Sequence, residues 1–496
     1  MLAAQSFSVP PMPLPQLLGS ENGACADVMI SGIQLDSRQV RPGDLFLALP
    51  GEKFDGRQFI AQAVANGAAA VVAEAPVADA ARAIAVPLVE LPALQARAGF
   101  LAARFYRHPS HAMQVVGITG TNGKTTTSRI IAQLTRALGK PCGVIGTLGA
   151  TLADDVAAAS NTTPDAVSLQ QQLAQWLAQG VRAVSMEVSS HALEQGRVNG
   201  VEFATAIYTN LSHDHLDYHG SMEAYGRAKL RLFASAGLQH AVINADDPFA
   251  VQVRAAVVAG AQVVTYSARG AAADVRVVNA QFQAGGVRGE LHSPWGVANF
   301  FSPLPGDFNL ANLAAAVAAL VLAGEDLLAV LDAVGKLQPV PGRMALVPNS
   351  LNLQVIVDYA HTPHALELVL QALRPHVSGA LITVFGCGGD RDKEKRPLMG
   401  RVACALSDRV VVTSDNPRSE DPLQIMREIE AGCSGNYALV ADRAEAIATA
   451  VAIAGAGDCV VIAGKGHEDY QLVAGARLPF SDEAHARAAL ARRTAT

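Results

Sequence analysis

The chain has 496 residues, half of them hydrophobic and 17% charged, so it is a well-packed globular protein that is too long for a single hydrophobic core. A formal net charge of −6 without a long basic run argues against nucleic-acid binding through phosphate contacts. The longest apolar tract, residues 313–324, is too short to span a membrane, and the six cysteines are scattered without a Cys-x-x-Cys pair. We therefore expect a soluble, cytoplasmic protein of several domains with reduced cysteines and without nucleic-acid or membrane partners. We also expect a monomer, although none of these features bears on the oligomeric state.

The first 112 residues predict a small α/β unit. Residues 41–49 and 69–75 are apolar stretches that predict strands, and residues 59–68 have the apolar spacing of a helix. A new α/β unit begins at residues 113–118, an apolar run that predicts a strand and leads into the sequence TGTNGKTT. The helix predicted to follow from Lys124 has an apolar face and ends at a glycine; these residues are Ile130, Ile131, Leu134, Leu138 and Gly139.

The sequence TGTNGKTT, residues 119–126, predicts a phosphate-binding loop between that strand and helix. Gly120 and Gly123 let successive backbone N–H groups converge on phosphate oxygens, and the helix start adds a positive dipole end. Lys124 would contact the β- and γ-phosphates, and the Thr125 hydroxyl would bind Mg²⁺. The loop departs from the common G-x-x-x-x-G-K-[ST] pattern, because Ile118 occupies the first glycine position. We nevertheless expect ATP or GTP binding.

Two further stretches suggest groups near a metal. A strand within residues 181–193 ends in Glu187, which could hold Mg²⁺ or be an ordinary loop carboxylate. Residues 210–220 carry four candidate ligands and suggest a zinc hydrolase, but Tyr218 stands where that pattern needs its last histidine, and no further closed ligand set is apparent. The four are His213, His215, Asp217 and His219.

Lys229 follows in the helical stretch 222–233. The chain has eight lysines against thirty arginines, so lysine is the rarer basic residue. Unlike arginine, lysine can lose its proton and become a neutral nucleophile. For this residue alone, a surface lysine on a helix remains the simpler interpretation.

The C-terminal part, from about residue 338, alternates apolar strands with helical stretches. This alternation predicts a doubly wound, mostly parallel sheet with its ligand groups at the strand carboxyl ends. Three polar stretches lie at such ends: CGGDRD (387–392), SDNPR (414–418) and GKGHED (464–469).

Taken in order, TGTNGKTT, MEVSSHAL, DHLDYHG with Lys229, GDFNLANLAAA, VPGRM and DYAHTP resemble the motifs of the Mur ligases of peptidoglycan synthesis. The resemblance runs from about residue 32 to 482 and includes the unusual phosphate loop. It implies an α/β protein of three domains: a small uridine-binding α/β domain (1–112), a central P-loop ATPase-like domain with a parallel sheet (113–337), and a C-terminal Rossmann-like doubly wound domain (338–496).

The resemblance implies an ATP-dependent ligase that activates a carboxylate as an acyl phosphate and joins it to an amine. Lys124 and Thr125 would act on phosphate and Mg²⁺, with Glu187 and His215 as metal-shell groups. Lys229 would carry a CO₂-derived carbamate that supports a second metal or the γ-phosphate. The implied ATP-binding residues are Gly120, Thr121, Asn122, Gly123, Lys124, Thr125, Thr126, Asn309, Asn312, Arg343 and Asp358.

The same resemblance implies a UDP-linked muramoyl dipeptide as one substrate, since residues 33–44 resemble the uridine site of the tripeptide-forming branch. Arginine and hydroxyl side chains suit a substrate that carries two carboxylates. The implied residues are Leu35, Ser37, Glu52, Lys53, Phe54, Asn161, Thr162, Thr163, Ser189, Gln195 and Arg197.

The Asp-Asn-Pro-Arg sequence at 415–418 resembles that of the branch that adds meso-diaminopimelate; enzymes that add L-lysine usually lack this arginine. Arg418 could hold the distal carboxylate of diaminopimelate through two hydrogen bonds, and Glu468 would pair with the distal ammonium. The implied pocket comprises Arg391, Asp415, Asn416, Pro417, Arg418, Gly464 and Glu468.

Three alternatives stay open on the sequence alone. A folylpolyglutamate synthetase shares the activation chemistry without needing the uridine domain or Arg418, and a lysine-adding Mur ligase differs only at the amino-acid pocket. A nucleotide-switch or motor ATPase would hydrolyse ATP without a small carboxylate substrate. We also expect the domains to close when substrates bind, because both the central and the C-terminal domain contribute to the ATP site.

Overall fold

The computed structural model describes residues 7–19, 27–51, 54–152, 155–157, 161–283 and 286–494. The N-terminal part builds a parallel sheet in the order β3-β4-β5-β6, and a separate antiparallel pair, β1 and β2, precedes it. The elements are β1 (Met12–Pro13), α1 (Leu14–Leu18), β2 (Met29–Ile30), β3 (Gly32–Gln34), β4 (Asp44–Ala48), α2 (Ile60–Ala65), β5 (Ala70–Glu74), α3 (Asp79–Arg82), β6 (Leu88–Leu91) and α4 (Leu94–Phe105), with 3-10 turns at Ser37–Gln39, Gly56–Phe59 and Pro109–Ala112.

The central part forms a sheet of eleven described strands. Its elements are β7 (Gln114–Thr119), α5 (Lys124–Ala137), β8 (Cys142–Gly146), β9 (Gly149–Leu152), β10 (Asp155–Ala157), α6 (Ala166–Ala178), β11 (Ala183–Glu187), α7 (Ser190–Glu194), β12 (Thr205–Tyr208), α8 (Leu216–His219), α9 (Met222–Phe233), β13 (His240–Asn244), α10 (Ala250–Ala256), β14 (Gln262–Ser267), β15 (Val275–Gln283), β16 (Gly286–Ser293), β17 (Gly296–Ser302), α11 (Phe308–Leu322) and α12 (Leu327–Val334). The strand order is β10-β9-β8-β11-β7-β12-β13-β14-β15-β16-β17.

The middle of this sheet, from β8 to β15, is parallel, and both ends are extended by antiparallel strands. A parallel sheet must be covered on both faces, and two hydrophobic clusters do this. Helices α5 and α11 contribute to one cluster, and α6 and α9 contribute to the other. The phosphate loop therefore leaves β7 near the centre of a rigid sheet, with Glu187 at the end of the adjacent strand β11.

The C-terminal part forms a mostly parallel sheet in the order β18-β19-β23-β20-β21-β22, in which only β18 is antiparallel to its neighbour. Its elements are β18 (Ala345–Leu346), β19 (Gln354–Asp358), α13 (Pro363–Leu373), a 3-10 turn (Arg374–His376), β20 (Leu381–Phe385), α14 (Lys395–Leu406), β21 (Arg409–Val412), α15 (Pro422–Glu430), β22 (Tyr437–Leu439), α16 (Arg443–Ile453), β23 (Cys459–Ala463), β24 (Tyr470–Val473), β25 (Ala476–Pro479) and α17 (Asp482–Thr494).

The predicted α/β class with parallel sheets is confirmed, as are the strand before the phosphate loop, the helix after it and the strands expected in the C-terminal sheet. Two features were not predicted: the antiparallel strands β15–β17 and the hairpin β24–β25. No helix within the described ranges is both long and apolar enough to cross a membrane. Five cysteines, Cys142, Cys387, Cys404, Cys433 and Cys459, are free thiols, and Cys25 lies outside the described residues.

Candidate active site

The phosphate loop has a backbone that only glycine fits at two positions. Gly120 has φ +149°, and a Cβ there would lie 1.9 Å from the Thr209 hydroxyl oxygen. Gly123 has φ +87°, and a Cβ there would lie 2.6 Å from Oδ1 of Asn312. Both positions have the left-handed backbone that glycine tolerates at no steric cost, so the loop can curl tightly before α5 begins. The N-terminus of α5 then faces the space that a phosphate would fill.

Neighbouring residues hold this loop in place. Thr121 donates its backbone N–H to the Asn210 carbonyl oxygen at 2.8 Å, and Asn122 donates to Oδ1 of Asn210 at 2.9 Å. The hydroxyl groups of Thr121 and Tyr225 lie 3.2 Å apart. Asn210 and Tyr225 were not singled out from the sequence, although both lie in stretches that were.

Lys124 folds back over its own loop. Its Nζ donates to the carbonyl oxygens of Gly120 at 2.7 Å and Thr121 at 2.8 Å. Burial lowers the pKa of Lys124, while the carboxylates of Glu187 and Asp214 oppose that shift. The ammonium is thus held at the mouth of the loop by two neutral acceptors, which it could exchange for phosphate oxygens.

Glu187 is buried directly opposite the start of α5. Its Oε2 accepts from the Thr125 hydroxyl at 3.0 Å and from the Thr147 hydroxyl at 3.1 Å, and its Oε1 accepts from the Thr147 N–H at 2.8 Å. The Thr125 oxygen also accepts from Nη2 of Arg343 at 3.1 Å, which brings a C-terminal residue to the same point. A carboxylate and a hydroxyl in contact provide the oxygen ligands that Mg²⁺ prefers.

Asp214 and His215 lie beside this pair, at the end of the loop after β12. Nε2 of His215 is 3.4 Å from Oδ2 of Asp214, and Nε2 of His361 is 4.0 Å from the same oxygen. Burial lowers the pKa of His215 to about 3, so its imidazole is neutral at neutral pH and can act as a ligand. Burial alone would raise the pKa of Asp214, yet His215, His361 and the nearby Lys395 and Lys124 hold it below its ordinary value.

Lys229 is buried in the same small cavity of about 140 Å³, which Glu187, Thr125 and His215 also line. Its Nζ lies 4.0 Å from the centroid of the Tyr225 ring. Burial and the charge of Lys124 lower the pKa of Lys229 well below its ordinary value. The simpler interpretation, a surface lysine on a helix, is therefore wrong, because this lysine is buried.

The four candidate zinc ligands of residues 210–220 do not converge. His213 Nε2 lies 2.6 Å from Oδ2 of Asp392, His219 Nε2 lies 3.0 Å from the Ser190 hydroxyl, and Asp217 is exposed. His215 faces Asp214.

A cavity of about 440 Å³ opens from the phosphate loop toward the C-terminal part. Its wall includes Asn309 and Asn312, both buried at the start of α11, and Arg343 and Asp358 from across the gap. Asn312 donates to Oδ1 of Asn309 at 3.1 Å, and its own Oδ1 accepts from the Thr127 hydroxyl at 3.2 Å.

The two C-terminal members of this wall are fixed by local contacts. The Arg343 guanidinium lies 4.4 Å from the Tyr359 ring centroid. The Asp358 carboxylate accepts from the N–H groups of Met344 and Ala360, each at 2.7 Å, while burial raises the pKa of Asp358. Thr126 lines the cavity as well, so the structure brings together all the sequence-predicted ATP-binding residues around the loop and this cavity.

A third cavity, of about 540 Å³, lies between the N-terminal part and the residues that follow α7. Leu35, Ser37 and the exposed ring of Phe54 line one side, and Gln195 and Arg197 line the other. Glu52 and Lys53 lie outside the described residues.

The remaining predicted dipeptide-binding residues connect this cavity to Glu187. Arg197 donates to the Thr163 carbonyl oxygen at 3.1 Å, and the Thr163 hydroxyl donates to the Glu187 carbonyl oxygen at 2.9 Å. Ser189 donates its N–H to the Thr163 hydroxyl at 3.1 Å, and the hydroxyls of Thr162 and Thr147 lie 3.2 Å apart. Asn161 is exposed and directly precedes Thr162 and Thr163. A continuous polar path therefore leads from the N-terminal cavity to the buried carboxylate.

The polar stretches at the C-terminal strand ends form one pocket around Arg418. This residue has φ +55°, donates its backbone N–H to the Leu472 carbonyl oxygen at 2.8 Å, and donates Nη1 to the Gly389 carbonyl oxygen at 2.7 Å. Burial lowers the pKa of Arg418, and the charge of Arg391 adds to that shift. A Cβ at Gly388 would lie 2.7 Å from Arg418 Nη1 and 3.8 Å from Arg391 Cγ, so the two arginine side chains share one region. Pro417 precedes Arg418, but contacts with the hairpin β24–β25 fix the arginine backbone, and that hairpin was not predicted.

Glu468 and Asn416 form the opposite part of the pocket and are tied to a buried lysine. Nζ of Lys465 donates to Oε2 of Glu468 at 3.0 Å and to Oδ1 of Asn416 at 3.2 Å, and Asn416 donates to Glu468 at 2.7 Å. Gly464 has φ +116°, and a Cβ there would lie 2.6 Å from the Asp415 carboxylate. The carboxylate expected to bind an ammonium thus already has one cation beside it.

Several residues at these sites had no role predicted from the sequence. Asp214 stands between two histidines that were considered as ligands, and His361 lies in the DYAHTP motif, so both could have been found by extending the motif residue by residue. Thr147 carried no comparable signal, and Asp392, although it lies in the CGGDRD stretch, had no predicted partner, because only the fold brings these residues to Glu187 and His213.

Three family models match the chain. They are described as "Mur ligase family, catalytic domain" over residues 29–106, "Mur ligase middle domain" over 118–320, and "Mur ligase, glutamate ligase domain" over 342–466.

Curated relatives match along almost the whole chain. A protein of Ectopseudomonas mendocina is 50% identical over 97% of this chain and 98% of its own length, and one of Coxiella burnetii is 47% identical over 96% and 99%. Both are named UDP-N-acetylmuramoyl-L-alanyl-D-glutamate–2,6-diaminopimelate ligase.

Solved structures of similar fold include a protein with that same name. It is 40% identical to this chain, the match covers 98% of this chain and 100% of that one, and the TM-score is 0.70. A folylpolyglutamate synthase of Mycobacterium tuberculosis complexed with ADP has a TM-score of 0.64 at 20% identity, covering 81% of this chain and 94% of its own, which is a likeness of fold alone.

Proposed function

The chain belongs to the Mur ligase family, and we propose that it joins meso-diaminopimelate to the D-glutamyl carboxylate of UDP-N-acetylmuramoyl-L-alanyl-D-glutamate at the expense of ATP. The observation that carries the proposal is the order of three sites on one chain. Three sites follow one another from the N-terminal to the C-terminal part: the cavity of about 540 Å³, the phosphate loop with Glu187, and the pocket of Arg418. They would bind a nucleotide-linked acid, a phosphate donor and an amine, and the acid and the amine would meet beside the phosphate donor.

The reaction needs ATP because a carboxylate oxygen is a poor leaving group. One oxygen of the D-glutamyl carboxylate attacks the γ-phosphorus, the bond to the β-phosphate oxygen breaks, and ADP leaves. The amine of the incoming amino acid then attacks the acyl carbon, loses a proton, and expels inorganic phosphate. Lys124 can follow the transferred phosphoryl group, since its ammonium exchanges loop carbonyls for phosphate oxygens without leaving the site.

The site fits ATP and Mg²⁺ by its donor set. The glycine curl and the N-terminus of α5 suit phosphate, and the Asn309 and Asn312 amides offer hydrogen bonds to a base in the adjoining cavity. Thr125 and Glu187 would hold Mg²⁺, with His215 as a further ligand. When bound, the ion would neutralise charge on the phosphates and orient them.

Lys229 fits a carbamate. Its buried amine has a lowered pKa, so a neutral fraction is available to add CO₂, and the resulting anion would lie in a cavity lined by Thr125, Glu187 and Lys124. An arginine at this position could not be neutral.

Diaminopimelate is the amino acid that the C-terminal pocket suits best. Arg418 and Arg391, whose side chains both lie near Gly388, would offer two guanidinium groups to a second carboxylate, whereas the side-chain end of L-lysine would bring an ammonium toward them. Glu468 would receive the distal ammonium while keeping Lys465 as its structural partner. The folylpolyglutamate alternative offers no reason for the paired arginines or for the N-terminal cavity.

We further propose that the enzyme works as a monomer in the cytoplasm. Every group named at the three sites comes from the one chain, so no second copy is needed to complete the site. The cytoplasm supplies ATP and nucleotide-linked precursors. Sedimentation with and without substrates tests whether the protein is a monomer. Fractionation of cells that express the tagged protein tests whether it is cytoplasmic.

The test of the proposed function follows one oxygen atom. The D-glutamyl carboxylate is labelled with ¹⁸O, and the products are analysed by mass spectrometry after incubation with ATP, Mg²⁺ and meso-diaminopimelate. We expect a tripeptide product and one labelled oxygen in the released phosphate. Phosphate without label, or no tripeptide, would refute the proposed activation.

A further inference from the structure

We propose that His213 is a positioning residue that couples the phosphate loop to the amino-acid pocket through its hydrogen bond to Asp392. The inference rests on the proposed function, because it concerns the transfer between those two sites. His213 belongs to the central part and Asp392 to the C-terminal part, so the contact of 2.6 Å between Nε2 and Oδ2 bridges the two.

Asp392 is a fixed partner. Its side chain is 6% exposed, and its Oδ1 accepts from the Glu394 N–H at 2.9 Å, which holds the carboxylate within its own loop. Only Oδ2 reaches across to the histidine. Because one oxygen is committed to the loop, a movement of His213 moves the loop rather than the carboxylate alone.

On the central side, the neighbouring residues lead directly to the phosphate loop. Ser212, which precedes His213, donates its N–H to the Thr121 hydroxyl at 3.0 Å. Asp214, which follows, faces His215 and His361. His213 therefore sits on a segment that is held by the phosphate loop on one side and by the metal-site groups on the other.

On the C-terminal side, the neighbouring residues lead to the arginines. Arg391 precedes Asp392, and the same loop is joined to the next strand end by Arg418, which donates to the Gly389 carbonyl oxygen at 2.7 Å. Ser419 donates its N–H to Asp390 at 3.1 Å, which adds a second link. The position of Asp392 thus sets both guanidinium groups of the pocket relative to the phosphate loop.

The contact differs from another bridge between the two parts, the one made by Arg343. Arg343 reaches the Thr125 hydroxyl beside the nucleotide cavity, so its loss would affect ATP. The His213–Asp392 contact lies on the amino-acid side, and its loss should leave the activated carboxylate in place while the amine is misplaced. An amine displaced by about 1 Å can react on the order of a hundredfold more slowly. Water would then attack the activated carboxylate instead.

The experiment measures phosphate released per tripeptide formed, together with kcat and the three KM values, for His213→Ala and Asp392→Ala. We expect kcat for the tripeptide to fall about tenfold to a hundredfold, with more than one phosphate released per tripeptide. The KM for diaminopimelate should rise, while that for the UDP-linked dipeptide, which binds elsewhere, should not. His213→Gln, which keeps an N–H donor of similar reach, should recover most of the loss.

Glu394→Gln is the matched control. A carboxylate oxygen of Glu394 lies within 4.8 Å of a ring nitrogen of His213 and of a carboxylate oxygen of Asp392, but the residue is exposed. We expect it to behave as the wild type, and the double variant of His213 and Asp392 to be no worse than Asp392→Ala. Should His213→Ala not fold, Asp392→Ala and His213→Gln test the same contact. One phosphate per tripeptide in every variant, or equal rises in all KM values, would overturn the inference. A wild-type protein that forms no tripeptide would instead refute the proposed function.

Discussion

Replacing Arg418 with alanine should change the preference for diaminopimelate over L-lysine more than any other substitution in the pocket. The guanidinium is half-buried, is fixed by the Gly389 carbonyl oxygen at 2.7 Å, and lies near the charge of Arg391. Its φ of +55° is equally unfavourable for alanine, so the substitution changes the side chain without changing the backbone strain. The loss of activity therefore reports on the guanidinium group itself.

The expected magnitude follows from leaving a substrate carboxylate without its partner in a desolvated pocket. Truncating one member of such a charge pair costs about 2–5 kcal/mol. At 1.36 kcal/mol per factor of ten, kcat/KM for diaminopimelate should fall by roughly 30-fold to several thousand-fold. For L-lysine it should stay the same or rise, because a cation facing the lysine ammonium has been removed.

The assay is phosphate release at saturating ATP and UDP-linked dipeptide, with each amino acid varied. Arg409→Ala is the control, since Arg409 is exposed at the amino end of β21, whereas Arg418 lies in the segment after the carboxyl end of that strand. Thermal unfolding of each variant separates lost stability from lost recognition. Equal losses for diaminopimelate and L-lysine would refute the assignment of Arg418 to the distal carboxylate.

Three further predictions follow from buried charges. Lys229→Arg should lower kcat on the order of a hundredfold or more, because arginine stays protonated and cannot form a carbamate; extra bicarbonate in a phosphate-release assay should not restore it. Asp482→Asn should destabilise the protein by about 3–5 kcal/mol in denaturant unfolding, since Arg443, fully buried and bonded to Asp482 at 2.7 Å, would lose its counter-charge; a change below about 1 kcal/mol would contradict this. The hydrogen bonds from Arg396 lower the pKa of Glu420 from 4.5 to about 2, so the stabilisation is present above pH 4.5 and is lost as pH falls toward 2; Glu420→Gln should flatten the pH dependence of unfolding in that window, and an unchanged profile would show that other groups dominate.

Much of the fold was predictable because the buried strands of parallel sheets are short apolar runs that can be recognised in the sequence. The strands β7, β19, β20 and β21 are short and, apart from the exposed first residue of β7, β19 and β21, are buried and mostly apolar. The helix after the phosphate loop has one apolar face and a terminal glycine. Strands β15–β17 carry a weaker signal, because one face is exposed and the apolar positions are interrupted.

The candidate site was predictable where a motif is local and unpredictable where the fold brings distant residues together. The phosphate loop, Glu187 and Lys229 could be named from short patterns, but the degree of burial that lowers the pKa of Lys229 depends on packing around α9. The Lys465–Glu468 pair is separated by only three residues, yet its burial depends on the strand ends around it. The contact between His213 and Asp392 spans 179 positions, and no local pattern indicates it.

ATP-dependent phosphate release with UDP-N-acetylmuramoyl-L-alanyl-D-glutamate tests the proposed reaction directly when meso-diaminopimelate is compared with L-lysine and with a folate-plus-glutamate pair. We predict release with diaminopimelate, little with L-lysine and none with the folate pair. Equal release with L-lysine would contradict the role of the paired arginines. Release with the folate pair alone would contradict the proposed substrates altogether.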